Sequence, residues 1–240
     1  MPEAHTVTSY DDELRFLVRR LSEMGGIAER MVADAVAALV NADAALAQRV
    51  ISEDLLLDNG EREIYDKAVL VIAKRQPMAS DLREIIGSIR IASDLERVGD
   101  LGKNIAKRVI AVHTMAQPRK LVRGLEHLAE LALTQLKEVL DAFATRSPDL
   151  ANSIRERDEE IDAIYTSLFR ELLTYMMEDP RNITACTHLL FCAKNIERIG
   201  DHATNIAETV YYVATGEQLA ADRPKDDETA TMIAPAPGSA

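Results

Sequence analysis

The sequence predicts an all-α protein made of two tandem antiparallel three-helix bundles, six long helices in all. Three observations predict it. Aromatic residues are only 4% of the chain and Trp is absent, whereas Ala, Leu, Ile, Val and charged residues dominate. That mixture suits long helices joined through thin aliphatic seams better than a sandwich or a barrel. Apolar residues recur in steps of three and four over long uninterrupted stretches, the period of a one-sided helix. The second half of the chain also repeats the first.

The first helix carries Leu14, Leu17, Leu21, Met24, Ala28, Met31, Ala35 and Ala38, and Asn41-Ala42-Asp43 breaks it. A second helix runs to Gln76-Pro77, where proline cannot continue it. Ser80 or Asp81 is placed to cap the third, with Glu84 in its first turn. Its seam is Ile91, Leu95, Val98, Gly102, Ile105, Val109 and Val112. Gln117-Pro118 opens the fourth helix. Ser147-Pro148 opens the fifth as N-cap and first helical residue, and Asp179-Pro180 precedes the sixth. The last seam is Cys192, Ile196, Ile199, Ala203, Ile206, Val210 and Val213. Segments of about 30 residues make rods of about 45 Å, and their short connections make neighbours antiparallel.

The third and sixth seams have identical spacing, offset by 101 residues. Asp54 and Asp58 match Asp158 and Asp162 at an offset of 104, and Pro77 matches Pro180 at 103. The stretch from Glu96 to Ala106 then matches Glu197 to Ala207, each opening on Glu-Arg-apolar-Gly-Asp. Small drifts in offset are what loop changes after a duplication leave behind. The first unit is therefore expected over residues 8–115 and the second over 118–215. Residues 217–240, with Asp-Arg-Pro-Lys-Asp-Asp-Glu and Ala-Pro-Ala-Pro-Gly-Ser-Ala, read as a disordered tail.

Composition narrows the partners. The net charge of −12, from 28 basic and 40 acidic side chains, repels nucleic acid and anionic lipid. The basic clusters Arg15/Arg19/Arg20 and Arg119/Lys120/Arg123 read as solvated helix faces. Cys186 and Cys192 point about 240° apart on one helix and cannot pair. With His188 between them they match no usual zinc spacing, so they read as buried structural thiols in a reducing compartment. No apolar run approaches the roughly 20 residues of a membrane span, and Met1–Ser9 is polar. A cytoplasmic protein without membrane insertion is expected.

The residues that could carry chemistry are carboxylates. Asp54/Asp58 with Glu96/Asp100, and Asp158/Asp162 with Glu197/Asp201, form acid pairs one helical turn apart. Glu96 directly follows seam residue Leu95, so its stripe lies about 100° around from the seam, at its flank. Like charges at this spacing cost a few tenths of a kcal/mol each, and clustered carboxylate oxygens suit hard cations. Two readings of the spacing stand side by side. Either the pairs converge across helices as di- or multinuclear metal sites, or Arg97 and Arg198 neutralise them as a metal-free salt-bridge network on a helical scaffold. Gly99 and Gly200 sit inside strong helical patterns at a cost of about 1 kcal/mol each relative to Ala, which points to a close helix–helix approach beside the acids. A ferritin-like di-iron oxidoreductase needs Glu-x-x-His pairs, and none of the five histidines has a Glu three residues before it. No catalytic triad, phosphate-binding glycine loop or nucleotide fingerprint occurs. No catalytic residue and no organic cofactor are expected.

Gln76-Pro77-Met78-Ala79-Ser80-Asp81-Leu82-Arg83, followed by Asp94-Leu95-Glu96-Arg97-Val98-Gly99-Asp100, resembles the PhoU family of phosphate-specific transport accessory proteins. Asn195-Ile196-Glu197-Arg198-Ile199-Gly200-Asp201-His202 is its second copy, and the resemblance spans about residues 8–215. It implies two tandem three-helix bundles and a non-enzymatic cytoplasmic regulator. Such a regulator dampens phosphate uptake by the high-affinity ABC transporter and represses the phosphate-starvation response. It implies contacts with the transporter's ATPase subunit and the phosphate-sensing histidine kinase. It also implies multinuclear iron or zinc, or another hard divalent cation, at motifs mapping onto Asp54, Asp58, Glu96 and Asp100 and onto Asp158, Asp162, Glu197 and Asp201. The two copies differ where Asn195 replaces Asp94 and Tyr165 replaces Glu61, so two such sites need not be equal. Long amphipathic rods also suit a homodimer.

Overall fold

The computed structural model describes residues 8–115 and 118–219. Apart from Glu217–Leu219, the expected tail lies outside the described residues. The described chain is helical, without strands, and runs α1 (Thr8–Asn41), α2 (Ala44–Arg75), α3 (Ala79–Val112), α4 (Arg119–Thr145), α5 (Pro148–Glu156), α6 (Asp158–Glu178), a 3-10 turn (Pro180–Asn182) and α7 (Ile183–Thr215). These are the six expected rods, with one refinement. The fifth rod is divided into α5 and α6 at Arg157, whose backbone leaves the helical region at φ −92° and ψ 1°. Its guanidinium is drawn to Glu138 of α4.

The caps follow local chemistry. Asp43 accepts hydrogen bonds from the amides of Ala45 and Leu46, both at 2.9 Å, and starts α2. Ser147 accepts from the Leu150 amide at 3.3 Å, with Pro148 in the first turn of α5. α7 ends at Gly216, whose φ of 82° is a left-handed conformation that a side chain would disfavour. The start of α3 differs from expectation. Met78 occupies the cap position without a side-chain cap bond, and Asp81 instead accepts the Tyr10 hydroxyl of α1 at 3.1 Å. A tertiary partner has taken the carboxylate that could have capped the helix.

The seams are the core. Every predicted seam residue of α3 is buried, as are Leu17 to Ala38 of α1 and Cys192 to Val210 of α7; Leu14 and Val213 at the ends are only half-buried. Both cysteines are buried free thiols. Burial pushes the Cys192 thiol up to about 12, which makes it unreactive at neutral pH.

Within the first unit α1, α2 and α3 pack on one another, and within the second α4, α5, α6 and α7 do the same. The units join like to like, α3 against α7 and α1 against α4. This is the self-complementary arrangement of a two-fold dimer realised within one chain. The α3–α7 crossing is antiparallel. A Cβ at Gly87 would lie 2.4 Å from Val213, Asp94 meets His202, and Arg108 lies over the Phe191 ring at 4.4 Å. Gly25 makes the matching close approach, 2.6 Å from Leu140, between α1 and α4.

Two carboxylate patches as the candidate functional site

The glycines inside the repeated signature set the geometry. A Cβ on Gly99 would stand 2.2 Å from Leu57, and one on Gly200 would stand 2.9 Å from Ile161. Leu57 and Ile161 occupy equivalent positions, each directly before the second Asp of its pair. The missing side chains therefore let α3 close on α2, and α7 on α6, at the level where the acids sit.

In the first unit this closure brings Asp54 and Asp100 onto one cation, Lys103. Its ammonium donates to Asp54 at 2.5 Å and to Asp100 at 2.6 Å. Asp54 is buried, only 8% exposed. Burial alone would favour the neutral amine, but hydrogen bonds to Asp100 and Asp54 and their negative charges outweigh it and raise Lys103 to about 12. Asp58, Glu61 and Glu96 complete the patch and are half-buried. Desolvation, then the charge of Asp100, raises the Glu96 carboxyl; Arg97 opposes this, and Glu61 and Asp58 add to it. Arg97 stays mostly exposed, 3.6 Å from Glu96 and 3.7 Å from Asp100. The neutralising cation is therefore mainly Lys103 rather than the arginine the sequence suggested.

The second unit is drier. Asp162 and Glu197 are each 5% exposed, and Asp201 is half-buried. The Asp158 side chain lies outside the described ones. Arg198 is exposed, and the cation here is Lys194, 2.8 Å from one Glu197 oxygen and 4.9 Å from the centre of the Tyr165 ring. The other Glu197 oxygen, Oε2, is buried without a hydrogen-bond partner. Burial raises the Glu197 carboxyl; Lys194 opposes this through its hydrogen bond and charge, while Asp201 and Asp162 reinforce it. Gln135 of α4 donates to the Thr204 hydroxyl at 3.1 Å while its own Oε1 is buried and unpaired, and so is Thr166 Oγ1. His202, beside Asp201, turns away to Asp94 of the other unit at 2.9 Å.

Sequence reasoning missed Lys103 and Lys194. Both were visible as i, i+3 neighbours of an acid on the same helix. The Gln135–Thr204 contact, 69 residues apart in sequence, left no such signal.

Among the described residues, no three His, Cys, Asp or Glu side chains converge closely enough to cage a metal ion. The donor sets still differ in how they suit one. The first patch has two of its carboxylates engaged by an ammonium. The second holds a buried carboxylate oxygen without a partner, an arrangement that a hard cation would satisfy.

Duplicated three-helix units, glycine-closed acid pairs and no catalytic constellation in the sequence define a class of helical-bundle protein. The PhoU domain family model matches twice, over residues 21–109 and 125–210. The chain belongs to the PhoU family. It is 76% identical over 232 residues to the phosphate-specific transport system accessory protein PhoU homolog of Rhizobium meliloti, covering 97% of this chain and 98% of that one. It is 52% identical over 224 residues to the protein of the same description in Caulobacter vibrioides, covering 93% and 97%. Among solved structures, PhoU from Pseudomonas aeruginosa superposes with a TM-score of 0.84 at 40% identity, over 87% of this chain and 100% of that one. The phosphate transport system regulatory protein PhoU from Streptococcus pneumoniae gives 0.81 at 30% identity, over 88% and 99%.

Proposed function

We propose that the chain is a cytoplasmic, non-enzymatic accessory protein of phosphate transport. In this reading it restrains high-affinity phosphate uptake and represses the phosphate-starvation response through protein contacts. The observation that carries this reading is the 76% identity, over nearly the whole of both chains, to a protein described as a phosphate transport accessory protein. The partners in this reading are the transporter's ATPase subunit and the phosphate-sensing histidine kinase, with a homodimer as the working assembly. Support for contact-based action comes from α2, which exposes Leu55, Leu56, Tyr65, Val69 and Leu70, apolar surface of the kind protein partners cover. No helix among the described residues is long and apolar enough to cross a membrane. The carboxylate patches are, in this reading, sites for a hard cation, with iron and zinc the first candidates; such a cation would lock two helices of a unit together through their acids.

Deleting the gene tests the regulatory part. Phosphate uptake and starvation-gene expression should both rise in phosphate-replete medium, and the wild-type gene supplied in trans should reverse the rise. Unchanged uptake and expression in the deletion strain would refute it.

A further inference from the structure

We propose that the outer face of α2 pairs with the same face of a second copy of this chain. The two helices run antiparallel about a two-fold axis between Arg62 and Glu63. This rests on the homodimer of the function proposed above and names the face that forms it. Among the described elements α2 packs only on α1 and α3. Its opposite side leaves Leu55, Leu56, Tyr65, Val69 and Leu70 exposed, Leu55 to 64%. The duplicated unit shows that a solvated face at this place needs no such residues. At the offset of 104 that relates Asp54 to Asp158, Glu159, Glu160 and Thr174 stand where α2 has Leu55, Leu56 and Leu70. All three are exposed on α6. Of two helices that share an origin, only α2 keeps leucines at these outward positions.

A two-fold interface must be complementary to itself, and the order of residues on this face meets that condition. Leu55 and Leu56 lie seven and six residues before Arg62, and Leu70 and Val69 lie seven and six residues after Glu63. Antiparallel pairing about that step lays the Leu55/Leu56 end of each helix on the Val69/Leu70 end of the other. Between these apolar ends, Asn59 of one copy faces Asp66 of the other, and Arg62 comes within a turn of the same Asp66. Asn59, Arg62 and Asp66 are exposed, and none makes a side-chain hydrogen bond or ion pair among the described residues. Glu63, at the edge of the face, is held by Arg20 of α1 at 2.8 Å. A parallel pairing would instead set Arg62 on Arg62 and Asp66 on Asp66, like charge on like. From Ser52 to Ala73 the face is about 30 Å long. That leaves room for the roughly 800 Å² that each partner of a standard interface buries.

Sedimentation equilibrium of the full chain tests the pairing, with circular dichroism confirming that each variant is folded. Wild type should be a dimer at micromolar concentration. Leu55→Glu combined with Leu56→Glu, which gives α2 the residues that α6 carries, should be a monomer at the same concentration. Arg62→Asp should raise the dissociation constant about tenfold or more by setting acid against Asp66, and adding Asp66→Arg should restore it. Met177→Glu, at an exposed position of α6, should change nothing. If wild type is a monomer, the homodimer and its face fail together. If wild type is a dimer that the double leucine variant leaves intact, or that Met177→Glu also dissociates, α2 is not the face and the homodimer stands. Weakening by Arg62→Asp without rescue by Asp66→Arg would overturn the antiparallel pairing. Should the double leucine variant not fold, Arg62→Asp and its rescue decide on their own.

Discussion

In the first unit the counter-charge comes from Lys103, one turn after the acid pair of α3; in the second it comes from Lys194, one turn before the acid pair of α7. The residues at the exchanged positions are Thr204 and Ser93, so each unit lacks the lysine that serves the other. The consequence is a difference in burial and satisfaction. Lys103 holds carboxylates from two helices at once. Lys194 is 2.8 Å from one Glu197 oxygen, and the other Glu197 oxygen is buried without a hydrogen-bond partner. Duplication preserved the backbone approach that Gly99 and Gly200 permit and let the electrostatic solution diverge. The first unit holds Asp54 and Asp100 on one lysine, and the second keeps one Glu197 oxygen buried without a hydrogen-bond partner.

The largest expected effect tests this difference directly. Lys103→Met leaves Asp54 buried without its cation, and losing one partner of a buried pair should cost about 3 kcal/mol. Lys194→Met removes a lysine that is 39% exposed against 19% for Lys103, and should cost less, about 1 kcal/mol. Urea denaturation at pH 7 measures both. Equal costs would mean that the two lysines do the same job.

Next in size is the packing beneath the acids. Gly99→Val drives side-chain atoms into the terminal methyl of Leu57, which is fully buried. A loss of about 2 kcal/mol is expected from overpacking. Gly200→Val meets Ile161 at a longer distance, with Gln135 as its next neighbour, and should cost less. Thermal unfolding of the two variants gives the order, and a reversal would place the tighter helix approach in the second unit.

A smaller and opposite effect is expected at Gln135. A Cβ on Gly99 would have Met31 nearby, and one on Gly200 would have Gln135 in the matching place. Gln135 spends its amide on Thr204 and on the Ile154 carbonyl at 3.4 Å, but its own oxygen has no partner. Importing the first unit's solution with Gln135→Met removes a half-satisfied polar group and should stabilise the protein by about 1 kcal/mol. Destabilisation would show that the Thr204 contact outweighs the orphaned oxygen.

How far the sequence reached follows the same division between local and distant causes. The aliphatic seams, the break at Asn41-Ala42-Asp43, the cap at Ser147 and the close approach at both glycines were legible, because each is set by residues within a turn or by a repeated pattern. The break at Arg157 was not, since Ile154-Arg155-Glu156-Arg157-Asp158 contains neither glycine nor proline and its arginine pairs with Glu138 on another helix. Ser80 or Asp81 was expected as a cap, but Met78 holds the cap position and Asp81 went to Tyr10. Which acids meet, and on which cation, depends on the register of α3 on α2 and of α7 on α6. Sequence spacing within one helix does not specify that register. The His202–Asp94 contact between units, 108 residues apart, is of the same kind.

The smallest expected effect is the most specific to the second patch. Burial raises the Glu197 carboxyl above its ordinary value near 4.5 despite Lys194. Between the unfolded value and the raised folded one, the native state holds more protons than the unfolded chain, so stability falls as pH climbs through that window. Above it the penalty of the buried charge is fully present; below about pH 4 both states are protonated and it disappears. Glu197→Gln keeps the shape without the charge. The metal-free variant should therefore be more stable than wild type at pH 7, by a few tenths of a kcal/mol, and the difference should vanish at pH 4. Glu96→Gln is the matched control. Its carboxyl is raised as well, by burial first and then by the charges of Asp100, Glu61 and Asp58, so part of its advantage at pH 7 should be lost when about 1 M salt screens those charges. The Glu197→Gln advantage, set by burial, should persist in the same salt. Melting curves at the two pH values and two salt concentrations would separate desolvation in the dry patch from like-charge crowding in the wet one.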